Sequence, residues 1–478
     1  MVSLPVTIRF LTLTPREYLA LAVLFVISLP AVTPRVYASD EIQYFAYLRS
    51  LWFDRDVSFE NEYRHFFDSG VAATSGFHAT FLEPLTPTGL RENFGTIGAA
   101  LMWAPFYAVA DIATRIRRAA GSEVAADGYG RPYMAAAVYG SATYAFAGLV
   151  LSISAAKRLT GTGLLPGLAV WFGTPLLFYM YAAPAFAHAC SAFAVALFVS
   201  IWLHVRTRWT VPDLAALGAA AALMTMVREQ DILYALGPAL DYVLSLRKRE
   251  GIAVRARIAA LAAGVGAFVV AYTPQLLAYW SLNGRFGPSQ LVTRKMSWTA
   301  PHAIEVLTSP RHGLFAWTPL ALLAVAGLVL LWIRSPRVIT GHHGMAGLPA
   351  GQVRQIGGCM LLMLVLQVYV IGSVESWTVA GAFGQRRFVS ATILFVVGLA
   401  ALLSFLPGAA ARKAALAAGV LAIWWNIGLM ALFGAGLMDR QRLHLRQNAY
   451  DVFVTLPREG PALVYRYFTD RNSFYRVR

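Results

Sequence analysis

Apolar residues gather in eleven long runs, at roughly 17–36, 132–156, 163–182, 184–205, 213–230, 232–247, 258–281, 313–333, 355–374, 388–406 and 414–437. A helix needs about 20 mostly apolar residues to cross a bilayer core, so each run predicts a membrane span. A further run at 93–114 is ambiguous. Arg9 and Arg16 precede the first run, and Val36-Tyr37-Ala38 after it imitates a signal-peptide cleavage site. Pro34 and Arg35 intervene, however, and the chain continues through many more runs, so a retained first span is expected. Basic clusters lie at Lys157/Arg158, Arg206/Arg208, Arg247/Lys248/Arg249, Arg255/Arg257, Arg334/Arg337/Arg354 and Arg412/Lys413. All fall on the cytoplasmic side if the N-terminus does and 93–114 does not cross, as positive charge in short loops requires.

The expected fold is therefore an all-α polytopic membrane protein with about eleven spans (10–13), carrying juxtamembrane helices on its outer face. Residues 1–36 hold the first span and 37–131 a large outer loop, with 93–114 as a juxtamembrane or re-entrant helix. Residues 132–437 form the helical bundle, and 438–478 a short tail on the outer face, with eight Arg and no Lys. Arg228, Glu229 and Asp231 interrupt the apolar stretch 213–247, and charges there need an aqueous cavity or the outer surface.

Composition agrees with this class. The chain is 58% hydrophobic and 13% charged, against about 25% charged in soluble domains. The formal net charge of +16 would suggest nucleic acid in a soluble protein. Here much of the excess sits in interfacial loops, so anionic headgroups or a phosphate-bearing substrate fit better and no nucleic-acid partner is expected. Cys190 and Cys359 each lie inside an apolar run, outside any metal-ligand or disulfide spacing. Walker, dinucleotide and nucleophile-elbow motifs are absent, which argues against an ATP-driven pump.

The stretch "YASDEIQYFAYLRSLWFDRD" (37–56) sets four carboxylates just beyond the first run. Ile42, Phe45, Leu48, Leu51 and Trp52 follow at helical spacing, as in an amphipathic helix lying at the interface. Asp40 could cap that helix, with Glu41 in its first turn. In the functional alternative Asp40 is a general base, since partial desolvation at the boundary raises a carboxylate's proton affinity. Asp54 and Asp56 stay open between a divalent metal site and a solvated turn. His78 and Glu83 lie further along the same loop, and Glu375 in a later outer loop. Cationic candidates are Arg228, Arg311 and His312 in "SPRHGLFAWTP", and Arg386 and Arg387 in "GAFGQRRFV" after a glycine-rich turn. Arginine forks match phosphate oxygens, although each could instead be an interfacial anchor.

The acidic pair Asp40-Glu41 right after the first span, in a long outer loop, resembles the GT-C class of membrane glycosyltransferases. That class includes protein O-mannosyltransferases and the aminoarabinose transferases that modify lipid A. "SLWFDRDVSFENEY" (50–63), "NFGTIGAALMWAPFY" (93–107), "SPRHGLFAWTPL" (309–320) and "WTVAGAFGQRRF" (377–388) are similar to stretches in bacterial branches of it. The resemblance implies a sugar donor on a polyprenyl phosphate, a periplasm-facing site in a bacterial inner membrane, and Asp40 as the catalytic carboxylate with Glu41 beside it. It also implies phosphate binding by Arg228 and Arg387, joined on the residue reading by Arg386 and Arg311. His78, Glu83, His312 and Glu375 are candidates for shaping the acceptor side. The acceptor could be a glycolipid, a polysaccharide or a protein. No cofactor is required, though Mg²⁺ or Mn²⁺ at Asp40, Asp54 or Asp56 stays open. Two features depart from the class: 93–114 lacks its paired prolines, and the tail is shorter than the mannosyltransferases' soluble domain.

Three other readings compete. A lipid-linked-sugar flippase would account for the spans and the outer basic residues, but not for carboxylates clustered in one loop. An oligosaccharide polymerase or ligase would put Arg311 and His312 ahead of Asp40. A non-enzymatic scaffold is compatible with the composition.

Overall fold

A computed structural model describes residues 11–246, 254–334, 349–379 and 381–474. Among these, the regular structure is helical, with two isolated β-bridges and no strand. Thirteen of the described helices reach eleven residues: α1 (Pro15–Ser28), α2 (Ser39–Arg49), α3 (Gly98–Ala119), α4 (Arg131–Thr160), α5 (His188–Val205), α6 (Val211–Val227), α7 (Leu236–Leu246), α8 (Val254–Asn283), α9 (Pro319–Ile333), α10 (Ala350–Ser373), α11 (Thr392–Phe405), α12 (Gly408–Ala435) and α13 (Leu456–Thr469). Six stretches among the described residues are long and apolar enough to cross a membrane: α4, α5, α8, α10, α12 and the continuous Arg386–Phe405 that ends in α11. α6, α9 and Leu164–Gly173 are shorter apolar helices of 17, 15 and 10 residues. Arg9, Arg247, Lys248, Arg249 and Arg337 lie outside the described residues.

The eleven apolar runs are all largely helical, but several are not continuous helices. Run 163–182 breaks at Gly173-Thr174-Pro175 into Leu164–Gly173 and Leu176–Tyr181. Run 313–333 breaks at Thr318-Pro319, leaving Leu314–Trp317 ahead of α9. The first run tightens into a 3₁₀ turn around Pro30. Proline lacks an N–H and drives its predecessor toward extended backbone. A hydropathy average does not register that. The stretch 213–247 divides at Arg228, whose φ of −154° ends α6 before a 3₁₀ segment and α7.

α11 is sheathed on all sides, with every residue from Thr392 to Ala401 buried, and it packs against α9, α4 and Leu164–Gly173. α4 lies along α5, and α6 along α8, which is the most outlying of the long helices. Polar pairs mark the two ends of the bundle. Lys157 Nζ meets Glu17 at 2.6 Å, joining the end of α4 to the start of α1. Arg206 reaches Gln352 at that same end and makes a buried fork with Asp241, at 2.9 and 3.0 Å. Arg206, counted from sequence among the basic clusters that orient the chain, is thus an ion-paired core residue. Arg208 and Arg257 line one pocket of about 300 Å³ nearby. The opposite end carries Asp40, His188, Arg228, Arg386 and Arg387, at the beginnings of α2, α5 and the 386–405 stretch and the end of α6.

α3 belongs to this second end. Its first turn abuts Val227, Trp103 Nε1 donates to Ser141 Oγ at 2.7 Å, and Tyr133 donates to Asp111 at 2.7 Å. It therefore runs antiparallel to the first part of α4, away from Lys157. At 1.5 Å per residue α4 is about 45 Å long, more than a core of about 30 Å requires, and α3 covers the surplus. α2 lies beneath this cap. Ile42, Phe45, Tyr47 and Leu48 are buried, against Phe59, Phe66 and Tyr107 among others. Its apolar face therefore serves protein packing rather than the open lipid interface expected from its sequence; only Leu51 and Trp52 stay partly exposed. Beyond α12 the tail crosses this end. Leu443 N–H donates to Pro310 O at 2.9 Å. Tyr467 Oη donates to Ala31 O at 2.7 Å, and Arg471 to Val32 O and Pro30 O, each at 2.8 Å.

α3 meets α6 through Gly98, where a Cβ would lie 2.3–2.5 Å from the Met226 and Val227 backbone. Gly98→Val is expected to lose about 1–3 kcal/mol by forcing the helices apart, read as a lower apparent unfolding temperature of the purified protein. Gly266→Ala, inside α8 with nothing within 4 Å of the new methyl, should unfold no lower than wild type. Equal temperatures for both variants would show that this contact contributes nothing.

Candidate functional site

The chain leaves α1 through Thr33, whose N–H donates to Tyr181 O at 2.7 Å, and enters α2 at Ser39. The amides before α2 need acceptors, and Glu41 supplies them: its Oε2 accepts from Tyr37 N (3.0 Å) and Ala38 N (3.1 Å). Capping is thus done by Glu41 from the first turn, in the manner of half a capping box. Asp40, expected as the alternative cap, is released from that role. Its carboxylate turns to Arg386, with Oδ2 2.8 Å from Nη2, and its side chain is 43% exposed. The desolvated carboxylate of the pair is Glu41, which is fully buried, with Oε1 lacking a partner among the described residues. Burial, reinforced by the charge on Asp40, pushes it up to about 7, against the two backbone hydrogen bonds and Arg386.

Arg386 and Arg387 emerge from a turn whose geometry glycine permits. Gly384 has φ +59°, and a Cβ there would sit 2.7 Å from Pro175 Cγ. The turn is held from all sides. His312 Nε2–H donates to Ala382 O at 2.8 Å, Tyr179 Oη to Phe383 O at 3.1 Å, and Gln385 Nε2 to Trp377 O at 3.0 Å. Arg386 lies over the Phe186 ring, 4.9 Å from its centroid. Arg387 donates from Nη2 to Ser376 Oγ at 3.1 Å. Its Nη1 is buried and has no hydrogen-bond partner among the described residues.

Arg228 completes the cluster from the break after α6. Nη1 lies 3.0 Å from His188 Nδ1 and 3.5 Å from Arg387 O, and Nη2 donates to Gln230 at 3.2 Å. A guanidinium only donates, so His188 accepts at Nδ1 and is the neutral tautomer carrying its proton on Nε2. Tyr44 lies amid these charges: burial and the Asp40 carboxylate push its phenol up to about 12, against Arg228 and Arg386. Three guanidiniums thus converge where, among the described residues, a single carboxylate makes an ion pair with them. Such a surplus of positive charge beside apolar walls suits an anion with several oxygens.

The remaining candidates are placed differently. Arg311 is exposed, with its backbone N–H on Ser309 Oγ. His312 is buried, stacked on Trp317 at 4.6 Å, and lowered to about 4 chiefly by burial. It braces the arginine turn rather than facing solvent. His78 Nδ1 and Glu83 pair with each other at 2.9 Å on the surface. Glu375 is exposed, one residue before the Ser376 that receives Arg387. Asp54 is engaged by Arg49 and by Asn61 at 2.7 Å. Asp56 Oδ1 accepts from Ser50 Oγ (2.7 Å) and Ser58 N (3.0 Å), an arrangement that closes a turn. No group of three or more His, Cys, Asp or Glu among the described residues could hold a metal ion.

His188, Tyr44, Tyr179, Phe186 and Ser376 were not legible as site residues. The one available signal was Pro175 and Pro184 interrupting an apolar stretch, which brings the start of α5 to the same level as the arginines. No family model, curated protein or solved structure matches the chain.

Glu41 and Glu62 both stand at about 7 through burial, above about 4.3 for a free glutamate. The folded state then binds more protons than the unfolded state between those values, so stability is full below about pH 4.3 and falls as pH rises toward 7. The apparent unfolding temperature should drop from pH 5 to 7.5, and less steeply in Glu41→Gln, whose amide oxygen can still cap α2. An unchanged slope in the variant would remove Glu41 as a source.

Proposed function

We propose that the protein is an integral membrane glycosyltransferase that moves a sugar from a polyprenyl-phosphate donor to an acceptor hydroxyl on the outer face of a bacterial inner membrane. The observation that carries this reading is the buried, unpartnered Arg387 Nη1 within a cluster of three guanidiniums opposed by Asp40. A donor phosphodiester carries one negative charge and leaves as a phosphomonoester carrying two. Positive groups fixed beforehand around the leaving oxygen stabilise that added charge.

Asp40 and Arg386 form the pair that the donor must divide. When the phosphate takes Arg386 together with Arg387 and Arg228, the Asp40 carboxylate is freed for the acceptor. The acceptor oxygen then bonds to the anomeric carbon while the carbon–oxygen bond to phosphate breaks, through oxocarbenium-like character. The acceptor proton passes to Asp40, and polyprenyl phosphate departs on the opposite face. A single displacement inverts the anomeric centre. Arg228, oriented by neutral His188, and Arg387, oriented by Ser376, are the phosphate-positioning pair. His312, beneath Trp317 with Nε2 occupied by Ala382, fits a supporting role better than the acting role a ligase would give it.

Asp40→Asn should lower transfer from a polyprenyl-phosphate sugar by about 10²–10⁴-fold, the range for loss of a general base, while donor binding persists. Arg387→Ala should weaken donor binding in a titration with the lipid-phosphate sugar. Full transfer by Asp40→Asn would sink the mechanism. Movement of labelled donor across proteoliposomes with no covalent product would instead favour a flippase.

A further inference from the structure

The tail and the 308–316 segment line an open cavity of about 1050 Å³ whose walls include the exposed Arg442, His444, Arg446, Gln447 and Tyr450 together with Pro310. It lies at the Asp40 end. Leu443, in its wall, donates to Pro310 O, and two residues on from Pro310 His312 holds the turn that presents Arg386. Its polar groups are unequally engaged. His444 faces Asp439 at 3.4 Å, and Gln447 donates to Asp451 at 3.1 and 3.2 Å. Neither Arg442 nor Arg446 makes an ion pair or side-chain hydrogen bond among the described residues. Close by, Leu445 (63% exposed), Tyr450 (56%) and Phe453 (45%) stand open. Two unpaired guanidiniums in a cavity flanked by exposed apolar and aromatic groups match a molecule anionic at its head and apolar beyond it.

We propose that this cavity seats the phosphate headgroup of a net-anionic membrane lipid, held by Arg442 and Arg446, with its chains along Leu445, Tyr450 and Phe453. This binding does not depend on the transfer reading. Exposed apolar side chains on the same segment favour a lipid over free phosphate, because a free anion gains nothing from them. An interfacial arginine can contribute about fivefold in binding to an anionic lipid, so the pair should give roughly tenfold to thirtyfold preference over a zwitterionic lipid.

The test uses the purified full chain in neutral detergent, titrated with phosphatidylglycerol or with phosphatidylcholine of the same chains, and read by native mass spectrometry as lipid adducts. Wild type should retain phosphatidylglycerol in preference, and Arg442→Gln/Arg446→Gln should fall to the phosphatidylcholine level. Arg442→Lys/Arg446→Lys should keep part of the preference, which distinguishes lost charge from misfolding. Competition by millimolar inorganic phosphate that abolishes the adduct would make free anion the ligand and overturn the lipid assignment. So would a glutamine variant with undiminished preference, or a wild type with none. Asp40→Asn should lose transfer while keeping the lipid preference, so the two proposals fail separately.

Discussion

Three guanidinium groups held together at one end of an apolar bundle repel one another, and among the described residues one direct ion pair, Asp40–Arg386, relieves them. Much of the surrounding architecture serves to keep this arrangement from dispersing. The arginine turn has two of its backbone carbonyls, Ala382 O and Phe383 O, bonded by His312 and Tyr179, and its own Gln385 side chain donates to Trp377 O. Arg228 is fixed where α6 ends, under the first turn of α3, with Thr96 Oγ1 on Val227 O at 2.9 Å. Side chains with this much freedom relax away from like charge unless the backbone beneath them is fixed. Here it is, and the strength of the resulting field is set by the rigidity of the fold.

Broken helices make that rigidity possible. Helices interrupted at Pro175, Arg228 and Pro319 leave their backbone polar groups to be satisfied near one level of the bundle, which is tolerable only where protein or water meets them. The same breaks turn the chain sharply enough to bring residues 40, 188, 228 and 386 together from four separated segments. Continuous spans would have presented these side chains at unrelated heights.

The helical runs were readable because lipid demands long apolar stretches, and Arg228, Arg386 and Arg387 because charge beside such stretches stands out. The internal breaks were not, since a window average absorbs one proline or threonine. Glu41 lies in the first turn as expected and does the capping, while Asp40, left open between cap and base, pairs with Arg386; the choice turns on one or two residues in where α2 begins, a resolution that sequence patterns lack. His188 carried no signal of its own, because its partner lies 40 positions away. Arg311 and His312, adjacent in sequence, separated into a surface residue and a buried brace, because His312 takes a left-handed backbone (φ 66°) that turns it inward.

The grip of Tyr467 and Arg471 on the carbonyls of Ala31, Val32 and Pro30 bears on the order in which the protein is made. Those carbonyls belong to the connector that delivers Asp40, and they are synthesised more than 430 residues before the side chains that satisfy them. Every membrane-crossing candidate after α1 is translated in the interval. Membrane insertion can therefore be complete while the entry to α2 is still unsecured, and the mature geometry of this end is attained only after translation has carried the tail back to the first helix.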